Sequence, residues 1–313
     1  MAGFSGGGAQ AIGPALIFGG VFEQNSASGD AGGGLNAGAS ATISGTRFLT
    51  NSGYYGGGVF VGGPLWMTGG SLAGNSAVGA GGGADLESGG ALTGTLIQDN
   101  RCGGCNPYGG GGVWSMGDLK VNAARFAGNT TGSVGGGLAF GTGAGVPVGT
   151  LTVVNTLFAA NAAPFGAAIV AANAASIQIA HTTIASPTQA SGAAIYIAFS
   201  TTDISNTIVA SHTVGIEGVS AAVTETHNLF FGNGADTAGT VTGGLGSFVG
   251  DPRFVDPAAG DYHLTALSAA RDTGVDAGVA VDFEGDARPI GGGFDIGYDE
   301  SRARLAFVPS VRR

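Results

Sequence analysis

The chain has 313 residues, 64 of them glycine, yet 43 % are hydrophobic and only 10 % charged. Such a composition can bury a core, and it excludes a disordered linker, which is short of branched and aromatic residues and rich in charge. A formal net charge of −10 argues against a nucleic-acid partner, because phosphate binding needs a basic face.

The opening MAGFSGGGAQ has neither a basic n-region nor a compact apolar stretch, so no signal peptide is visible there. A repeat is already under way at Gly6, and we read the chain as lacking its native beginning. Triple glycines start at Gly6, Gly32, Gly56, Gly81, Gly110 and Gly135, and a softened Gly-Ala-Ala-Ile starts at Gly166 and Gly192. The intervals run from 24 to 31 residues. A second marker, an apolar residue followed three later by asparagine, occurs at Phe22/Asn25, Phe48/Asn51, Leu72/Asn75, Ile97/Asn100, Phe126/Asn129 and Phe158/Asn161. Its spacing drifts in step with the glycines, so the two series mark one repeat.

The segments between markers are too short for helices. LTVVNTLF (151–158), IQIAHTTI (177–184) and AAIYIAF (193–199) are rich in β-branched residues and bounded by turn formers, as strands are. A unit of two or three short strands and no helix fits one turn of a parallel β-solenoid, each strand pairing with its counterpart one turn on. Glycine then serves corners that need positive φ or a close approach between coils. Asparagine, which tolerates the left-handed conformation, is expected at the bends, hydrogen-bonding along the stack. A second ladder of Asn155, His181, Asn206 and Asn228 follows from superposing NTLF, HTTI, NTIV and NLFF.

Cys102 and Cys105 lie in RCGGC with no second pair to complete a zinc site. A small disulfide clasping one loop is the expectation, two free thiols the alternative. No apolar run is long enough for a membrane helix.

The recurring triple glycines and Phe-x-x-Asn resemble the repeats of chlamydial polymorphic outer-membrane proteins, within the pectate-lyase-like parallel β-helix group. Residues 251–264 (DPRFVDPAAGDYHL), SAARDTG (268–274), DFEGDARP (282–289) and DIGYDE (295–300) resemble the closing segment of bacterial choice-of-anchor Q proteins. Ala269 stands where proline is usual there, and Tyr298-Asp299-Glu300 replaces Ala-Tyr-Glu. The resemblance implies a right-handed β-helix and an exported or cell-surface location. We therefore expect an all-β, right-handed parallel β-helix of about nine coils over 1–248, with 249–313 as an irregular cap. In that cap Phe254, Tyr262, Leu264 and Ile296 are expected to pack over the last coil, whose open end would otherwise be wet.

β-Helix enzymes acting on polysaccharides need clustered carboxylates and, for lyases, a base. Ten acids occupy residues 1–248, and only Asp85 and Glu87 lie within three positions of each other. Asp99 with Arg125, and Arg101 with Asp118, fall near equivalent places in successive coils and suggest surface ion pairs. No catalytic residue is assigned. The other eleven acids lie in 249–313, and Asp282, Glu284 and Asp286 are weak candidates for calcium, the one cofactor the residues suggest. The function expected is that of a non-catalytic surface rod, adhesin-like, binding glycans or a protein partner. A polysaccharide lyase or glycosidase is the alternative. An ice-binding face is a third reading, resting on Thr182, Thr183, Thr201, Thr202 and Thr207.

Overall fold

A computed structural model of the chain describes residues 6–143 and 145–302. The chain winds as a parallel β-solenoid of about nine turns, and among the described residues there is no α-helix, only a 3-10 turn at Pro257–Ala259. One coil contains four short strands, represented by Val59–Val61, Leu65–Thr68, Ser71–Ala73 and Ser76–Ala80. Each pairs in parallel with the coil before and the coil after. Val59–Val61, for example, lies between Leu35–Ala37 and Ala84–Leu86, and Ser71–Ala73 between Arg47–Leu49 and Leu96–Gln98. The fourth face forms a separate five-stranded sheet ending at Thr130–Thr131. Beyond it the chain rounds its corners inside long strands, Thr183–Ala198 and Ile208–Thr226.

The core is a stack of columns. The centre of the third strand contributes Phe22, Phe48, Leu72, Ile97, Phe126, Phe158, Ile184, Val209 and Phe230, in register through successive pairings. Where two phenylalanines are neighbours they stack, Phe22 on Phe48 at 4.9 Å and Phe126 on Phe158 at 4.6 Å between ring centroids. Repetition of an apolar residue every 21 to 32 positions is thus the sequence image of a column of side chains.

The triple glycine serves two requirements at once. Gly56 has φ +59°, and a methyl carbon at Gly57 would lie 2.3 Å from the carbonyl oxygens of both Gly82 and Ser76. The first glycine turns the corner; the second lets adjacent coils touch.

The asparagine column forms as expected, with one correction. Asn51 donates from both its backbone N–H and its Nδ2 to Oδ1 of Asn75, and the same pair of bonds at 2.9–3.0 Å links each member from Asn25 to Asn161. These asparagines are not left-handed. The residue before each takes positive φ, as at Gln24, Thr50, Asp99 and Ala160. The amide therefore acts by hydrogen bonding rather than by tolerating αL. Two coils before the end, the His212 N–H donates in the same manner to Asn233 Oδ1 at 3.0 Å.

The second ladder is also corrected. Leu229 pairs with Ile208, so His227, not Asn228, stands beneath Asn206. The left-handed column runs Gly45, Gly69, Gly94, Ala123, Asn155, His181, Asn206, His227, with φ from 45° to 64°. Asn206 Nδ2 lies 3.0 Å from His181 Nε2, and burial lowers the His181 pKa to about 3, keeping the ring neutral.

Residues 249–302 pack on the last coils, as expected of Tyr262, Leu264 and Ile296, and extend beyond them. They run back along the third face, reaching the coil of Arg125, whose Nη2 donates to Gly260 O at 3.1 Å. Tyr262, Leu264, Ala270, Ile296 and Tyr298 pack on Leu157, Ala159, Ala185, Ile208, Ala210 and Leu229, which project outward from four successive coils. Asn155 Nδ2 donates to Val281 O and Asn206 Nδ2 to Val275 O, each at 2.7 Å. The ladder residues thus hold the flanking segment. The final RARLAFVPSVRR, readable as a sorting tail or a frayed end, lies from residue 303 on outside the described residues.

Candidate functional site

Residues two places after a triple glycine point away from the core, on the outward side of the first face. There the register stacks Phe60, Asp85 and Trp114 in three consecutive coils. The next interval between glycine triplets is the first long one, and its extra residues form the loop closed by the Cys102–Cys105 disulfide. This loop brings Tyr108 over Trp114, edge to face at 5.6 Å, and the Tyr108 carbonyl accepts from Thr142 Oγ1. Trp114 is fixed in turn, its Nε1–H donating to Thr142 Oγ1 at 3.0 Å.

The result is a depression of about 140 Å³ lined by Tyr55, Ala80, Asp85, Glu87, Tyr108, Trp114 and Met116. Asp85 is its floor. Its side chain is fully buried, and neither carboxylate oxygen has a hydrogen-bond partner. Tyr55 and Tyr108, 36 % and 37 % exposed, form the rim with exposed Glu87. Burial, then the charge of Glu87, pushes the Asp85 carboxyl well above the usual range, and burial raises Glu87 as well. Burial, then Tyr54, Tyr108, Asp85 and Glu87, raises the Tyr55 hydroxyl. Burial is the largest cause of each shift, and the charge that adds to it at Asp85 is negative.

An unpartnered buried carboxyl is costly, and the cost grows when it ionises. Because the folded-state pKa of Asp85 is raised, its contribution to stability is full near pH 4 and is lost as pH rises through that pKa. Asp85→Asn is therefore expected to match the wild type near pH 4 and exceed it by about 1–3 kcal/mol at pH 8. Urea unfolding of both proteins across that range measures the difference; a gap that does not widen with pH would contradict the assignment.

The acids considered from sequence fall out as follows. Asp85 and Glu87 are brought together. Asp99 and Arg125 are not paired: Arg125 stands beside Leu96 in the register, and Asp99 Oδ2 accepts from Gln98 Nε2 instead. Asp118 Oδ1 accepts from both the N–H and the hydroxyl of Thr150, not from Arg101. The calcium candidates have separate partners. Asp282 is buried, with Oδ1 accepting from the N–H groups of Glu284 and Asp286 and Oδ2 from that of Glu300. Asp286 pairs with Arg302. Glu284 instead joins His263 and Asp299, and these three offer ligand atoms within 4.8 Å of one another. His263 lies between Asp261 Oδ1 at 2.6 Å and Glu284 Oε1 at 2.7 Å, which holds its pKa up at about 9, Glu284 contributing most. Thr182, Thr183, Thr202 and Thr207 are buried, so they present no flat threonine face to ice.

Tyr55, Tyr108, Trp114 and Met116 were not singled out from sequence. Counting two residues past GGG at Phe60, Asp85 and Trp114 exposes the column, and the long interval after Gly81 marks the loop above it. Among the described residues no helix is long and apolar enough to cross a membrane. Compared with protein-family models, curated proteins and solved structures, the chain matches none.

Proposed function

We propose that the protein is an exported, cell-surface solenoid that binds a saccharide unit of a glycan in the Asp85 depression without cleaving it. The observation that carries this reading is the buried, unpartnered Asp85 beneath Tyr55, Tyr108 and Trp114. Aromatic rings give a sugar apolar faces to rest on, and a carboxyl beneath them gives its hydroxyls a partner. The Cys102–Cys105 disulfide supports export, since such bonds persist in oxidising compartments.

The geometry favours binding over cleavage. Asp85 and Glu87 are two residues apart at the end of one strand, and such positions lie on the same side of a sheet. Glycosidases flank the scissile bond with carboxyls from both sides, whereas Asp85 and Glu87 approach from one.

A glycan array run in parallel with product analysis tests this. We expect retained glycan, no released product, and at least about tenfold weaker retention by Tyr108→Ala, as for an aromatic anchor. Released sugar or unsaturated uronide would replace binding with catalysis. No retention of any glycan would overturn the reading.

A further inference from the structure

We infer that the group received by this depression is a cation, specifically the primary ammonium of an amino sugar, rather than a neutral or acidic saccharide unit. The inference rests on the glycan-binding reading for the sugar and on the lining residues for the charge. Two carboxyls, Asp85 and Glu87, face the space, and no cationic side chain does. A uronate would meet two like charges there, a repulsion that no nearby partner relieves.

The unsatisfied atoms carry the argument further. Asp85 offers both carboxylate oxygens with no donor, while the neighbouring buried polar group, Trp114 Nε1, is fully engaged by Thr142. Buried polar atoms in folded proteins are nearly always paired, so a pair left open at the floor of a depression marks the missing donor. An ammonium supplies three N–H donors and the opposite charge. The aromatic residues among the lining, of which Tyr55 and Tyr108 are partly exposed, also favour a cation over a neutral amide through their ring quadrupoles. An N-acetyl group supplies one donor, no charge and extra bulk.

Asp85 is fully buried, whereas Tyr55 and Tyr108, which line the depression with it, stand on exposed positions, one at a strand end and one just after the disulfide. A bound cation would convert an unpartnered buried carboxyl into a paired one, so ligand binding and stability are coupled.

Titration calorimetry and thermal unfolding with four probes test this: chitosan oligosaccharide, its fully N-acetylated counterpart, oligogalacturonate and butylammonium. Chitosan is expected to bind at least about tenfold tighter than the N-acetylated chain, and Asp85→Asn to abolish that difference while leaving the fold intact. Equal binding of the free-amine and N-acetylated chains would keep the glycan reading and overturn the ammonium. Binding of butylammonium with no saccharide bound would keep the ammonium and overturn the glycan. Preference for oligogalacturonate, or no stabilisation by any probe, would overturn the inference.

Discussion

Replacing Glu300 by alanine is expected to destabilise the protein by about 3–5 kcal/mol, the cost of stranding a buried charge. Its partner Arg288 is 2.7 Å away, and both side chains are wholly buried. Glu300 also accepts the N–H of Ile290 at 2.8 Å and that of Asp295 at 3.1 Å, so it closes the turn of DIGYDE onto DFEGDARP. Arg288 uses its other nitrogen on Gly297 O at 2.9 Å and reaches Asn155 Oδ1 at 3.4 Å. The pair therefore joins the flanking segment to itself and to the left-handed column of the solenoid. Burial works against the Arg288 charge, and Glu300 is the largest influence sustaining it, followed by Asp282. Removing the acid alone leaves a guanidinium in a dry site. Removing both, as Arg288→Met with Glu300→Leu, is expected to cost less than the single change, because no charge remains to be hydrated. Urea unfolding at pH 7 measures all three proteins. A loss below about 1 kcal/mol for Glu300→Ala would mean that the pair is solvated.

Gly57→Ala is expected to cost more than about 4 kcal/mol, a value reached only by specific steric or charge defects. The added methyl would lie 2.3 Å from two carbonyl oxygens, one in the next coil and one across the corner, and backbone has no rotamer with which to yield. Gly57 does not have positive φ, so the penalty belongs to contact alone. Gly45 provides the converse. It has φ +64° and open space around it, so Gly45→Ala is expected to cost only about 1–2 kcal/mol, the left-handed penalty of a β-carbon. Comparable losses at both sites would show that coil spacing is looser than described.

The repeat was legible because stacking converts a local requirement into a periodic one. Gly56 and Gly81 turn the same corner one coil apart, and Asn51 and Asn75 make the same hydrogen bond. The ladder of Asn155, His181 and Asn206 was legible too, but its last member was misplaced. Letters matched NLFF to NTIV, whereas the pairing of Leu229 with Ile208 sets the register. The path of residues 249–302 had a signal that was not used. Residues flanking the third-strand centre include Arg47, Ser71, Gln98 and Arg125 in early coils, then become Leu157, Ala159, Ala185 and Ile208. An apolar outer face needs a cover, and the covering segment lies there. The depression at Asp85 was hidden for a different reason. Its lining comes from residues 55 to 116, which are neighbours only across coils, so a search for acids close in sequence finds the pair and misses the rings.

Everything about this site depends on adjacent coils lying in the stated register. Ser26, exposed, and Ser52, half-buried, are partners on the fourth face, 26 positions apart, with hydroxyl oxygens 3.0 Å from each other. Mild oxidation of a Ser26→Cys, Ser52→Cys double variant, followed by peptide mass mapping, reads the register directly. The expected result is a disulfide between positions 26 and 52 with the native Cys102–Cys105 bond kept. Failure to form it, with ready closure between cysteines placed at 26 and 76 instead, would contradict the stacking and with it the site.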